Sequence, residues 1–282
     1  MKSQTVTGGG GIKLHVVETG NPKGKPILFL HGLSQCTHCW KKQMESDLAD
    51  DFRLVAMDIR GHGLSEKPKD AYGDTKLWAD DVQAVITELG LDQPILIGWS
   101  YGGEILCDYL RHYGEEHIGG LNFVGGVSKL GEPVFPFLGQ DFIALAEGLF
   151  SDNAEESAAT LQKFIRLWFH KEPTMEDFYF FLGYNTIVPP YVRVGLFSRS
   201  IENDDILATI RKPVLLTQGE NDSLVLMEMA EYHKSKIPHA QISRYPEVGH
   251  APFWESPERF NSELLFIIFY FYLNIFIFFI KI

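Results

Sequence analysis

The chain has 282 residues, 45% of them hydrophobic and 22% charged, enough for one large core or a domain carrying an insertion. A net charge of −12 with no Lys/Arg cluster argues against a nucleic-acid partner, since phosphate binding needs a basic face. Three cysteines do not suggest a disulfide framework, and Met1 to Gly11 lacks the apolar core of a signal peptide, so a cytoplasmic setting is expected.

Gly8 to Gly11 has neither the spacing nor the preceding strand of a dinucleotide-binding loop. Lys13 to Glu18 alternates and predicts an exposed strand; Gly20 to Gly24 follows as a turn. Pro26 to His31 and Arg53 to Asp58 are continuous apolar runs, the pattern of strands buried on both faces. Leu77, Asp81, Val85 and Leu89 fall within an amphipathic helix. Pro94 to Gly98 predicts a further strand, and Ile105, Leu106, Tyr109 and Leu110 mark the helix after it. Gly120 to Gly125, Pro213 to Gln218 and Gln241 to Tyr245 complete the set. Strands alternating with helices predict a parallel, helix-covered sheet. The stretch from Lys129 to Leu207 breaks that rhythm. It is rich in Phe, Leu, Trp and Tyr at helical spacing and predicts an inserted helical cap. Phe135, Phe137 and Trp168 are its candidates, with Trp99 and His38 from the core, for the wall of an apolar substrate pocket.

Between the strand ending at Gly98 and the helix that follows stands Gly98-Trp99-Ser100-Tyr101-Gly102-Gly103. A serine between glycines on a tight strand-to-helix turn has its hydroxyl pushed into the open, the arrangement of a nucleophile elbow. Such a serine needs a base. His250, in the loop after the last strand and preceded by Gly249, is the candidate. A base needs an orienting carboxylate, and Asp222, just past the strand ending at Gln218, is placed for it, with Glu220 as the fallback. The order serine, acid, histidine is that of one known arrangement of this triad. A tetrahedral intermediate needs two fixed N–H donors. These are expected from Tyr101, at the positive end of its helix, and Leu33, in the loop after His31. Cys36-Thr37-His38-Cys39 lacks the second cysteine pair of a structural zinc site, so neither metal nor cofactor is expected.

With His31-Gly32, the segment Asp58 to Ser65, the elbow, Gly219 to Asp222, Gly249-His250 and Glu255 to Phe260 all in order, the chain resembles the serine-nucleophile branch of the α/β-hydrolase superfamily over about residues 12 to 263. The resemblance implies an α/β fold with a mostly parallel eight-stranded sheet flanked by helices and an inserted helical cap. It supports Ser100, Asp222 and His250 as triad and Leu33 and Tyr101 as oxyanion hole. Within the superfamily the chain is similar to small esterases, acyl-homoserine lactonases and cofactor-free haloperoxidases. Relatives with an aspartate nucleophile are disfavoured because the elbow carries Ser100.

The expected organisation is a hydrolase core at 1–128 and 208–263, a helical cap at 129–207, and a tail at 264–282. From Leu264 to Ile280 nearly every residue is Phe, Ile, Leu or Tyr. As a helix the stretch would reach ~26 Å, just short of a bilayer core. It reads first as a last core helix, from Pro257 to about Ile268, running into an aberrant apolar extension, and second as a membrane anchor at 264–280. The expected activity is cleavage of a small carboxylic ester or lactone with an apolar acyl part. Perhydrolysis, carbon–carbon bond hydrolysis and ligand binding without catalysis are the alternatives.

Overall fold

A computed structural model describes residues 1–264; the apolar tail beyond Leu264 lies outside the described residues. Eight strands form one sheet: β1 (Lys2–Thr7), β2 (Lys13–Gly20), β3 (Lys25–Leu30), β4 (Phe52–Met57), β5 (Ile95–Trp99), β6 (Gly120–Val124), β7 (Val214–Gly219) and β8 (Gln241–Tyr245). Their order is β1-β2-β4-β3-β5-β6-β7-β8, antiparallel across the first three strands and parallel thereafter. The apolar runs occupy the middle. Leu28 sits between Val55 and Leu96, and all three are fully buried, as a sheet covered on both faces requires. β1 escapes the hydrophobic pattern because it is an edge strand in which Val6 alone is buried.

Helices α1 (Thr75–Glu88) and α2 (Tyr101–Tyr113) pack against each other beside the sheet. The Asp74 side chain caps α1 by accepting from the Lys76 amide. The buried stripe of α1 is Trp78, Asp81, Val82, Val85 and Ile86, with Leu77 and Leu89 half-exposed at its margin.

Between β6 and β7 the chain leaves the sheet and builds a helical insertion, whose longest pieces are α3 (Ala154–Arg166), α4 (Met175–Asn185) and α5 (Pro190–Phe197). A two-residue antiparallel ribbon, Lys129–Leu130 against Ile201–Glu202, joins its entry to its exit. So short a pair leaves no periodicity to read in the sequence. After β8 a helical segment covers 257–264, with Phe260 and Leu264 buried. Among the described residues no helix is long and apolar enough to cross a membrane.

Candidate active site

Ser100 closes β5 and starts α2 with φ 54° and ψ −117°. That left-handed conformation is strained for a residue with a side chain and persists only where its surroundings enforce it. Here the Ser100 amide donates to Val124 O (3.0 Å), while its carbonyl accepts from Gly103 (2.9 Å) and Val127 (3.1 Å). The glycines allow the close approach. A Cβ on Gly98 would lie 2.5 Å from Gly102 O, and one on Gly102 would lie 2.6 Å from Leu30 O.

Asp222 and His250, 28 residues apart, meet: His250 Nδ1 donates to Asp222 Oδ2 at 2.7 Å. Oδ2 also accepts from Gln218 Nε2 (3.0 Å), and Oδ1 accepts from the amides of Leu224 (2.9 Å) and Val225 (3.0 Å). These donors hold the carboxylate in place against Nδ1 of the imidazole. His250 Nε2 is buried and has no hydrogen-bond partner among the described residues. The imidazole is located by Trp99, whose indole N–H donates to His250 O (2.8 Å) and whose ring lies 5.5 Å from it. It also rests against Gly125, where a Cβ would come within 3.0 Å of Nδ1. Residues 99 and 125 thus fix the position of the imidazole. Glu220, the fallback acid, is exposed, and its amide pairs with Tyr245 O.

Gly32 abuts the serine: a Cβ there would lie 2.8 Å from Ser100 Cβ and 3.4 Å from Oγ. The adjacent Leu33 and Tyr101 share a cavity with Ser100. Two buried histidines hold the loop. His31 Nδ1 donates to Gly32 O (2.9 Å) and its Nε2 accepts from Ile59 N (3.1 Å). His62 Nδ1 donates to Arg60 O (3.0 Å) and its Nε2 accepts from Ser34 N (3.1 Å), where Ser34 takes φ 60°. Both rings must be neutral to accept. Burial lowers the His31 pKa, and burial followed by the neighbouring His31 pushes His62 down to about 3.

The cavity beside Ser100 has a volume of about 40 Å³, and besides Ser100 its walls are apolar or aromatic, from Leu33 and Val127 through Phe142 and Phe164 to Leu224 and Val225. None of the five residues expected to wall it does so. Trp99 lies under His250, and Trp168 is packed among Trp99, Phe164 and Phe181. Phe137 packs on Tyr232, Phe135 is 51% exposed, and His38 is exposed with its ring edge toward Phe180. Large aromatic side chains gain most from filling the interface between insertion and core, so aliphatic residues, Tyr101 and three other phenylalanines, Phe142, Phe164 and Phe197, are left to line the cavity. Cys36 and Cys39 are buried, and burial raises both thiol pKa values.

Beneath the elbow lies a charged cluster. Arg199, at the end of the insertion, donates twice to Asp108 (2.5 and 2.7 Å) and once to the Tyr101 hydroxyl (3.1 Å). Asn203 Nδ2 donates to both Glu104 oxygens (3.0 and 3.1 Å) and to Ser128 O. Burial, then the Asp108 charge, pushes Glu104 up to about 8, and burial pushes Asp108 up to about 6 against the pull of Arg199. The unfolded Glu titrates near 4.5. The folded state therefore keeps a proton that the unfolded state has released, and that contribution to stability is lost as pH rises from about 4.5 through about 8. Glu104→Gln should remove the dependence. Urea midpoints of wild type should fall relative to the variant between mildly acidic and mildly alkaline pH; a constant difference would refute the assignment.

The geometry defines an α/β-hydrolase fold with a helical insertion, with Ser100 at the end of β5 and a paired Asp222 and His250 in the loops after β7 and β8. A family model for the alpha/beta hydrolase fold matches residues 25–257, and the chain belongs to that family. Its structure is similar to that of an esterase, RhEst1 from Rhodococcus sp. ECU1013. Sequence identity is 34%, the TM-score is 0.90, and the match covers 95% of this chain and 99% of that one. The AB hydrolase superfamily protein YisY of Bacillus subtilis (strain 168) is 29% identical over 257 residues, 89% of this chain and 93% of the relative. A non-heme haloperoxidase of Rhodococcus erythropolis is 26% identical over 280 residues, 92% of this chain and 97% of the relative.

Gln218, Arg199 and Glu104 were not singled out in the sequence. Glu104 and Asp108 had a visible signal: two acids four residues apart on the face of α2 that also carries apolar side chains.

Proposed function

We propose that the chain is a serine hydrolase that cleaves esters, or lactones, of small apolar carboxylic acids through an acyl-enzyme. The observation that carries this reading is the His250–Asp222 pair, its Nε2 unpartnered among the described residues and its ring packed on Trp99, next to a strained Ser100 that opens into an apolar cavity. His250 Nε2 takes the Ser100 proton as Oγ attacks the ester carbonyl. The amides of Leu33 and Tyr101 hold the resulting oxyanion, where preorganised donors contribute most. Asp222 stabilises the imidazolium through Nδ1. The protonated imidazole then gives its proton to the leaving alkoxide, and water repeats the sequence on the acyl-enzyme to release the acid.

A cavity of about 40 Å³ has room for a short acyl chain. On a panel of p-nitrophenyl esters, kcat/KM should be highest for acetate to butyrate and fall at least about tenfold by decanoate, since each misfitted methylene is costly in a closed pocket. Phe142 and Phe164 stack at 5.6 Å in its wall. Phe142→Ala should recover the longer esters selectively. Equal rates across the panel would refute the short-acyl assignment. The haloperoxidase relative supports a second reading, in which peroxide replaces water at the acyl-enzyme. Peroxide-dependent halogenation in acetate, abolished by Ser100→Ala, is its test.

A further inference from the structure

One carboxylate joins the histidine loop to the helical insertion. Glu255 Oε1 accepts from Gly249 N (2.8 Å), and Oε2 accepts from His170 N (2.9 Å), 85 residues away in sequence. The histidine itself is tied to the same segment, because its amide donates to Trp168 O at 2.6 Å. There is no slack between the two. A Cβ on Gly249 would lie 2.6 Å from Trp168 O and 2.8 Å from His170 N, and on the other side a Cβ on Gly219 would lie 2.0 Å from Gly249 O. Gly249 is therefore wedged between the strand that leads to Asp222 and the insertion segment 168–170. Glu255 is the side chain that fixes the height of that wedge. Burial raises its pKa, against the opposing pull of the His170 and Gly249 backbone donors.

We propose that Glu255 is a positioning residue for His250: by bridging Gly249 and His170 it sets the place of the imidazole according to how the insertion is seated on the core. This rests on the serine-hydrolase reading. The reason for expecting an effect on rate is geometric. His250 has one contact to Asp222 on its Nδ1 side, and a displacement of about 1 Å at a proton-transfer partner can cost up to about a hundredfold. A Gln at 255 keeps one acceptor oxygen but turns an NH₂ donor toward the other N–H, so one of the two bridges must break.

The test compares wild type, Glu255→Gln and Glu255→Asp, with Lys171→Ala as control, because Lys171 is exposed and its ion pair is with exposed Glu247. Active serines are titrated with a fluorophosphonate probe, so that kcat is counted per competent site, and the imidazole Nδ1 proton shared with Asp222 is observed by NMR without substrate. Glu255→Gln should lower kcat and the labelling rate by about ten- to a hundredfold with KM within about twofold, and shift the Nδ1 proton signal. Glu255→Asp, which keeps the charge but is one methylene shorter, should fall between. A purely structural role would lower the melting temperature and the fraction of competent sites while leaving kcat per site and the proton signal unchanged, and that result overturns the proposal. Should wild type itself resist labelling, the hydrolase reading fails separately. The proton signal still decides the positioning claim, because it depends on the Asp222–His250 contact alone.

Discussion

Replacing Ser100 with Ala should lower ester turnover by about 10⁴- to 10⁶-fold while leaving the fold intact. The substitution removes a single oxygen from a partly exposed side chain. The backbone bonds that hold the elbow, from Ser100 N to Val124 O and from Gly103 and Val127 to Ser100 O, do not involve it. The loss would therefore be one of chemistry. It should not be complete, because the amides of Leu33 and Tyr101, the proposed oxyanion donors, would remain to stabilise charge on a carbonyl attacked by water. The same reasoning predicts strong non-additivity. His250→Ala should cost nearly as much alone, and the double variant little more than either, because a base without its nucleophile has nothing to activate. Steady-state kinetics on a short p-nitrophenyl ester, with mass spectrometry to locate the fluorophosphonate adduct, checks both statements. An Ala variant with near-normal turnover, or an adduct elsewhere in wild type, would overturn the assignment.

Arg199→Met should destabilise the protein by about 3–5 kcal/mol, lowering Tm by on the order of 10 °C. The Arg199 side chain is 1% exposed and Asp108 is fully buried, so removing the cation strands a carboxylate where water cannot reach it. The cost is the desolvation of that unpaired charge more than the loss of the pair itself, which yields a sharper expectation. Asp108→Leu added to Arg199→Met should restore much of the lost stability, because a buried pair replaced whole by apolar side chains is often tolerated. Glu104, held up to about 8 by burial, does not need Arg199 at neutral pH. Denaturant titration of the single and double variants measures the coupling. Absence of recovery in the double variant would show that Arg199 acts through packing or through Tyr101 instead. The Tyr101 hydroxyl also donates to Leu196 O in α5, so the cluster secures the insertion to the helix that begins after Ser100.

The central strands were legible because a strand buried on both faces leaves an uninterrupted apolar run, as in residues 26–30, 54–57 and 95–97. The elbow was legible because close approach of β5 to α2 demands glycine at 98, and close approach of α2 to the end of β3 demands it at 102, and the two glycines flank Ser100 within a few residues. The sequence also pointed to Asp222 over Glu220, and the structure pairs Asp222 with the imidazole at 2.7 Å. The edge strand β1 and the ribbon at the neck of the insertion left no such trace. One is polar and solvated, and the other is two residues long.

What the sequence by itself determined, then, is the alternating architecture and the order and chemistry of the residues gathered at the sheet's edge, because both depend on patterns a few residues wide. Tertiary structure alone decided the cavity wall and the supporting charges. Arg199 finds Asp108 across 91 residues and Glu255 finds His170 across 85. Neither pairing has a local signature, since a charged residue on a helix or loop reads as solvent-facing until a partner from elsewhere buries it. The aromatics obey the same physics. Trp168 and Phe137 are hydrophobic enough for a pocket wall, but which large ring faces a cavity and which fills the seam between two packed layers is settled by the packing of those layers, where close-packed interiors leave one arrangement of volumes.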